Sequence, residues 1–426
     1  MKWNTKIKAG ALQFVLFMGV VIALLLLTFI TLAQTNSLFG KKTELLVETI
    51  KSADLGLSMA LKSNMVLNDS LDIELPGDSP IEVRALRQYW GIFEKYTVLA
   101  KSKKNRFVKS VLAGSSSSEM LPALYLEDNQ RPLIIVGNAK ITGDAFLPKQ
   151  GIRPGNIAGN SFYGTSMVNG RQRQSRSSLP QLNSEFVQRV NQFSRNRIPN
   201  KNNQNLKLER GLKATNSFEA PTKTIEGSEI ILSGVFLSGN IEVHATRRII
   251  VEATSQLQDI VLSAPEIIVK KGVVGSFQAI ASKNIEVGRN CILEYPSALV
   301  VNHSTTNNQN ANTVRKPDIS VGQKSIVKGS IVYLMKGEKQ QRFHPQIKID
   351  TDAVVWGEVY CAQNLELKGK VFGSVNTYGF VALESGSIYQ NHFFNGTIDS
   401  SRLPREYTGL PLTNNTSFKA ITKWLY

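Results

Sequence analysis

The sequence predicts a mainly β protein: an N-terminal transmembrane helix, a small α+β or β-rich domain, and then a parallel β-helix (β-solenoid) with about 18 residues per coil. Three observations predict it. Residues 11–33 read ALQFVLFMGVVIALLLLTFITLA, 23 residues without a charge, and at about 1.5 Å per residue such a helix crosses a hydrocarbon core of roughly 30 Å. Ile249, Ile267 and Ile285 recur at intervals of 18, as do Val251, Val269 and Val287. The repeating segments are crowded with β-branched residues and glycine, which favour strands and turns over helix. With 426 residues and 42% apolar content, the chain has the material to bury a core, which excludes disorder throughout and a collagen-like repeat. Two cysteines exclude a disulfide framework, and four histidines argue against a histidine-rich metal site. No cofactor is expected.

The leader, residues 1–10, is MKWNTKIKAG, with Lys2, Lys6 and Lys8 and no acid. A basic start stays in the cytoplasm, and a long C-terminal segment translocates largely regardless of its charge. A cleaved signal peptide has an apolar region of only about 7 to 15 residues. The expectation is therefore a single-pass inner- or cell-membrane protein, its partner the lipid bilayer, with the bulk of the chain outside the cytoplasm, periplasmic or extracellular. The short basic stretch ending in Gly10 before an apolar run also resembles the leader of type IV pilins and minor pseudopilins. That resemblance implies peptidase processing between Gly10 and Ala11. Most members of the family carry Glu at the fifth mature position, where this chain has Val15, so only the glutamate-lacking minor members fit, and a plain signal anchor is the competing reading. Beyond the span, residues 34–65 form an amphipathic helical extension, with Leu45, Thr49, Leu57 and Leu61 at helical spacings.

Residues 66–169 read as a β-rich domain. YWGIFEKYTVLAKSKKNRFVKSVLAG alternates aromatic or β-branched with polar residues and predicts a hairpin turning near 103–105. Lys101, Lys103, Lys104, Arg106 and Lys109 surround that turn without a carboxylate, and a serine run (115–118) is expected to separate the hairpin from later strands. Gly137, Gly143, Gly151 and Gly155 lack the strand-to-helix fingerprint of a phosphate cradle and read as tight turns. Residues 170–215 read as a basic linker or excursion with a short helix near 184–194. Between 170 and 213, ten Lys and Arg stand against Glu185 and Glu209, contributing +8 of the chain's +17. Arg171, Arg173 and Arg176, with the lysine-rich turn, are the candidate contacts for an anionic partner, an acidic glycan in particular. Nucleic acid is not expected, because the basic stretch lacks the interleaved aromatics that stack bases.

Residues 216–400 carry the repeat. RIIVEATSQLQDIVLSAP, EIIVKKGVVGSFQAIASK and NIEVGRNCILEYPSALVV align without a gap, and Ile347 and Leu365 are again 18 apart. Gly272, Gly288, Gly322, Gly329, Gly357 and Gly373 are expected to turn the corners, and the polar runs at 303–318 and 335–346 to be inserted loops. Residues 401–426 read as a C-terminal cap or tail, with Phe418, Trp424 and Tyr426 the side chains that a cap on the last coil would use. The phrases VWGEVY and VFGSV, at 355–360 and 371–375, resemble the bactofilins, a family of polymer-forming bacterial scaffold proteins. The resemblance implies a parallel β-helix and a self-associating or envelope-assembly role, although the long corner loops and the large N-terminal region depart from that family.

Three function classes remain: a membrane-anchored cell-envelope scaffold or minor pilin-like component, an adhesin-like glycan binder, and a polysaccharide-active enzyme. The first is favoured and no catalytic residue is assigned. The nearest approach to an acid pair is Asp350 and Asp352, which share one face if their segment is extended, with His344 and His392 near them in sequence. Cys291 reads as a small core residue and Cys361 as a strand residue, with no disulfide expected between them.

Overall fold

The computed structural model describes residues 9–77, 80–102, 105–117, 120–194, 204–304, 316–336, 343–413 and 417–425. The leader before Ala9, Lys103, Lys104, most of the two expected corner loops, and Tyr426 lie outside the described residues. The chain is mainly β, with one long apolar helix at its N-terminal end. It divides into two compact units.

The first unit takes in Met1–Ala60, Ser70–Leu86 and Thr97–Lys109. Helix α1, Ala9–Lys62, runs 54 residues without a break, so the span and the extension expected beyond it are one element. No proline interrupts it, and a helical glycine costs only about 1 kcal/mol. Its apolar stretch is long enough to cross a membrane, and its large side chains, Leu12, Phe14, Phe17, Leu25 and Phe29 among them, are exposed. Nearer its C-terminal end Thr49, Ala53, Leu57 and Ala60 are buried, a stripe at helical spacing. A Cβ on Gly56 in that stripe would strike Val83 Cγ1 and lie 3.3 Å from Val98 Cγ1, so the glycine sets how closely helix and strand approach. Strand Ser70–Ile73 pairs antiparallel with residues 83–86, and Lys109 forms an ion pair with Asp54 of α1.

The second unit takes in Leu61–Asp69, Arg87–Tyr96 and Ser110–Tyr426. Most of it is a 19-stranded sheet whose neighbours, across residues 204–367, pair in parallel. The register puts like on like. Ile249, Ile267, Ile285, Ile319, Ile347, Leu365 and Phe380 form one column, each at most 1% exposed. Fully burying one such aliphatic is worth roughly 1.5–3 kcal/mol, so a one-residue slip, which turns every side chain to the opposite face, is strongly disfavoured. The step is 18 residues from Ile249 to Ile267 and again to Ile285, but Leu365 pairs with Phe380 only 15 residues on. A second column, Ser297, Gly329, Gly357 and Gly373, stacks across the same strands. A Cβ on Gly357 would strike the Gly329 carbonyl oxygen and one on Gly373 the Gly357 carbonyl, with φ at 143° and 151°. Only glycine fits such a site.

The strand pairing bears on three expectations. Ser115–Ser117 do not separate the hairpin from the later strands; they are the end of strand Asn105–Ser117. Of the expected cap or tail, Ser417–Leu425 pairs antiparallel with residues 110–117, with a register shift between Ile421 and Lys423. Within 124–174, Asn156–Ile157 and Asn160–Ser161 pair with each other, but other strands of the segment join the parallel sheet of the repeat. Leu124–Leu126 pairs in parallel with residues 375–377, Lys140–Thr142 with 397–399, Ala145–Leu147 with 124–125, and Gln172–Gln174 with 145–147. The parallel sheet thus continues past the strand Lys370–Glu384 into residues that precede the repeat in the chain, and Arg173, with Arg171 just before its strand, lies at this end of it.

Helix α2, Ser184–Ser194, begins where Asn183 Oδ1 accepts the Glu185 N–H at 2.8 Å, the usual role of an N-cap asparagine. Phe186, Val190 and Phe193, at helical spacings, are buried against Val261, Ile280 and Val300 in one apolar cluster.

Candidate functional site

Two columns of outward-facing residues run side by side across the sheet, because residues two apart on a strand share a face. One passes through Ser330, Glu358 and Ser374 and continues past Ala123, which is buried in the core, to Asp144; Ala123 and Asp144 stand directly before the paired Leu124 and Ala145. The other passes through Tyr360, Asn376, Tyr125, Phe146 and Arg173. At the end beyond Tyr360 these columns line a cleft of about 720 Å³, walled by Pro122, Pro180 and Leu412. That volume is in the range of small-molecule sites, roughly 300–1,000 Å³.

The cleft changes character along its length. Glu358, Ser374 and Asn376 are buried, each at most 3% exposed. Glu358 accepts the Leu410 N–H at 3.1 Å, and burial pushes its carboxyl up to about 7. Next come Tyr125 and Phe146, stacked with centroids 5.3 Å apart and planes at 27°. The Tyr125 hydroxyl donates to the Ser178 carbonyl at 3.2 Å and accepts the Arg176 N–H at 3.0 Å, which fixes the ring. At the outer end Arg171 and Arg173 have side chains 76% and 48% exposed, and the Arg173 guanidinium lies 5.7 Å from the Phe146 ring centre. Asp144 pairs with Arg171 at 2.9 Å and Arg173 at 3.6 Å; the hydrogen bond from Arg171 holds its carboxyl below the usual range. Arg176 also lines the cleft. Three guanidiniums against one ionised carboxylate leave this end positive, and guanidinium forks suit planar oxyanions.

Glu358 and Asp144 have opposite shifts in one cleft, a pattern that in enzymes marks acid and base. Their placement does not suit that role. Three strand steps separate them along the column, about 14 Å at roughly 4.8 Å per step, whereas paired carboxylates that cleave glycosides lie about 5–9.5 Å apart.

The structure therefore gathers Arg171, Arg173 and Arg176 into one site. The other basic candidates belong to the first unit: Lys101 and Arg106 are exposed, Lys109 is tied to Asp54, and Lys103 and Lys104 are outside the described residues. Gly10 and Ala11 are exposed within α1. Asp350 and Asp352 do not share a strand face. They sit in a turn, Asp352 at φ 61°, a conformation that Asp tolerates, and Asp350 lies 3.6 Å from Lys348. His392 Nδ1 lies 2.6 Å from the Gln390 carbonyl oxygen, and Gln346 Nε2 donates to the His344 carbonyl at 3.1 Å. Cys291 and Cys361 are free and buried. Among the described residues no three His, Cys, Asp or Glu are grouped to hold a metal ion. Sequence reasoning missed Tyr125, Phe146, Asp144, Glu358 and Asn376. The one signal for them is the alternation in the strands 124–126 and 145–147, and it does not say which strands become neighbours.

No protein-family model, curated protein or solved structure matches the chain.

Proposed function

We propose that this chain is a membrane-anchored structural protein of the cell envelope: a single-pass helix carrying a β-solenoid with coils close to 18 residues, held outside the cytoplasm as a scaffold. The observation that carries this reading is the in-register column from Ile249 to Phe380 on a chain whose apolar helix leaves its large side chains exposed. Steps stacked in register make a stiff body from short repeats, and a lipid-facing helix keeps that body at a surface.

A reporter active only outside the cytoplasm, fused after Tyr426, tests the reading. Activity supports it, and a cytoplasmic result sinks it. Amino-terminal sequencing of the mature chain decides between the minor-pilin-like form, which starts at Ala11, and the plain anchor, which keeps residues 1–10.

A further inference from the structure

A scaffold needs no open, positively charged cleft at one end of its sheet. We propose that this cleft binds a linear oligosaccharide that carries carboxylates, with sugar hydroxyls on Glu358, Ser374 and Asn376 and carboxylates on Arg171, Arg173 and Arg176. The two columns run across the strands in straight lines, one side chain per strand step. They present a track rather than a point, and a linear chain of rings and hydroxyls matches a track.

The chemistry is graded in the same direction. At the deep end an amide, a hydroxyl and a carboxyl offer both donors and acceptors, the pairing that sugar hydroxyls require. Burial keeps much of the Glu358 population protonated near neutrality, so this carboxyl can donate to a hydroxyl instead of repelling an acidic ligand. At the outer end the guanidiniums are exposed and outnumber their one carboxylate partner, Asp144.

Other anionic chains fit less well. Phosphate is commonly cradled by successive backbone N–H groups, and in this cleft the Arg171 and Arg176 N–H groups are already taken by Asp144 at 3.2 Å and by the Tyr125 hydroxyl at 3.0 Å. Bases stack on open aromatic faces. Tyr125 and Phe146 stack on each other, and Arg173 lies over Phe146, so their facing surfaces leave no slot for a base.

The test uses the full chain in detergent micelles. Binding of an oligogalacturonate of fixed length is compared by calorimetry with an uncharged galactose oligomer of the same length, inorganic polyphosphate and a single-stranded oligonucleotide. The uronate is expected to bind at least tenfold tighter than each of the other three. The double variant Arg171→Gln, Arg173→Gln is expected to lose at least tenfold for the uronate with its melting temperature unchanged, since both side chains are largely exposed. Asn376→Ala, read with its own melting curve, is expected to weaken the uronate and the uncharged oligomer alike. Equal binding of charged and uncharged sugars, tighter binding of polyphosphate or oligonucleotide, no uronate binding at millimolar concentration, or full affinity in the double variant would each overturn the proposal. None of these outcomes depends on where the reporter places the chain, so this inference and the scaffold reading fail separately.

Discussion

Along one column of the parallel sheet, Ile280, Val300, Val332 and Tyr360 are packed in an apolar cluster with α2, whereas Asn376, Tyr125, Phe146 and Arg173 line an open cleft. The backbone rule is the same in both regions: parallel pairing, residues two apart on one face. What differs is the cover. At 11 residues, α2 reaches about 16 Å, or three to four strand steps, and it packs on the strands within 256–304. Where the helix and its flanking Leu179 and Leu182 lie, this column is apolar at Ile280, Val300 and Val332, with Ser263 before them and Asn302 beside them donating to Asn191 of the helix at 2.8 Å. Beyond them the same positions turn polar, aromatic and cationic. A covered face becomes an open cleft through the loss of its cover, with no change of fold.

Removing the cover is expected to have the largest effect. Phe186 is 1% exposed, and truncating a buried aromatic typically costs about 3–5 kcal/mol. Phe186→Ala should lower stability by that order in denaturant titrations of the full chain, while leaving binding at the cleft, on other strands of the sheet, intact. A loss below about 1 kcal/mol would mean that the apolar face does not depend on the helix.

A change at the deep end of the cleft comes next, and it depends on pH. The Glu358 carboxyl titrates near 7 in the folded chain, against an ordinary value of 4.5. Between those values the folded state holds more protons than the unfolded state, so stability falls as pH rises through this window and levels off above it. The full difference is about 3 kcal/mol. Glu358→Gln keeps an oxygen acceptor for the Leu410 N–H and removes the titration. The variant should gain on the wild type by that order between about pH 4.5 and pH 8, measured as the difference between their two stability profiles. Parallel profiles would show that burial does not hold this carboxyl protonated.

How far the two regions can be read from sequence depends on the distance over which each is specified. The step from Ile249 to Ile267 to Ile285 is local, so a fixed interval reveals the pairing. Helix α2 is equally legible near 184–194, because its spacing of apolar residues is contained within a few turns. The cleft is not local. Asn376 meets Tyr125 across 251 positions, and no period connects them, since residues 124–174 join the sheet from the other side of the repeat. The strands before the repeat therefore read as part of a β-rich domain, with only the alternation of Ile141, Gly143 and Ala145 suiting a first stacked coil, and Arg171 and Arg173 read as part of a basic linker or excursion. The basic character of 170–176 is visible in the sequence; the aromatic and acidic partners that give it shape are not.

The smallest expected effect on stability is the most telling for the cleft. Asp144 is the carboxylate that pairs with Arg171 and Arg173, whose side chains are largely exposed, and exposed pairs contribute at most about 1 kcal/mol. Asp144→Asn should therefore change the melting temperature little. It removes the negative charge closest to the two guanidiniums, so a carboxylate ligand no longer competes with it. Affinity for the uronate should rise several-fold, and more at low salt than at high salt, because these charges are solvent-screened. If Asp144 instead positions the arginines for the ligand, affinity falls with stability unchanged, and the opposite signs of the two outcomes separate a competing charge from an orienting one.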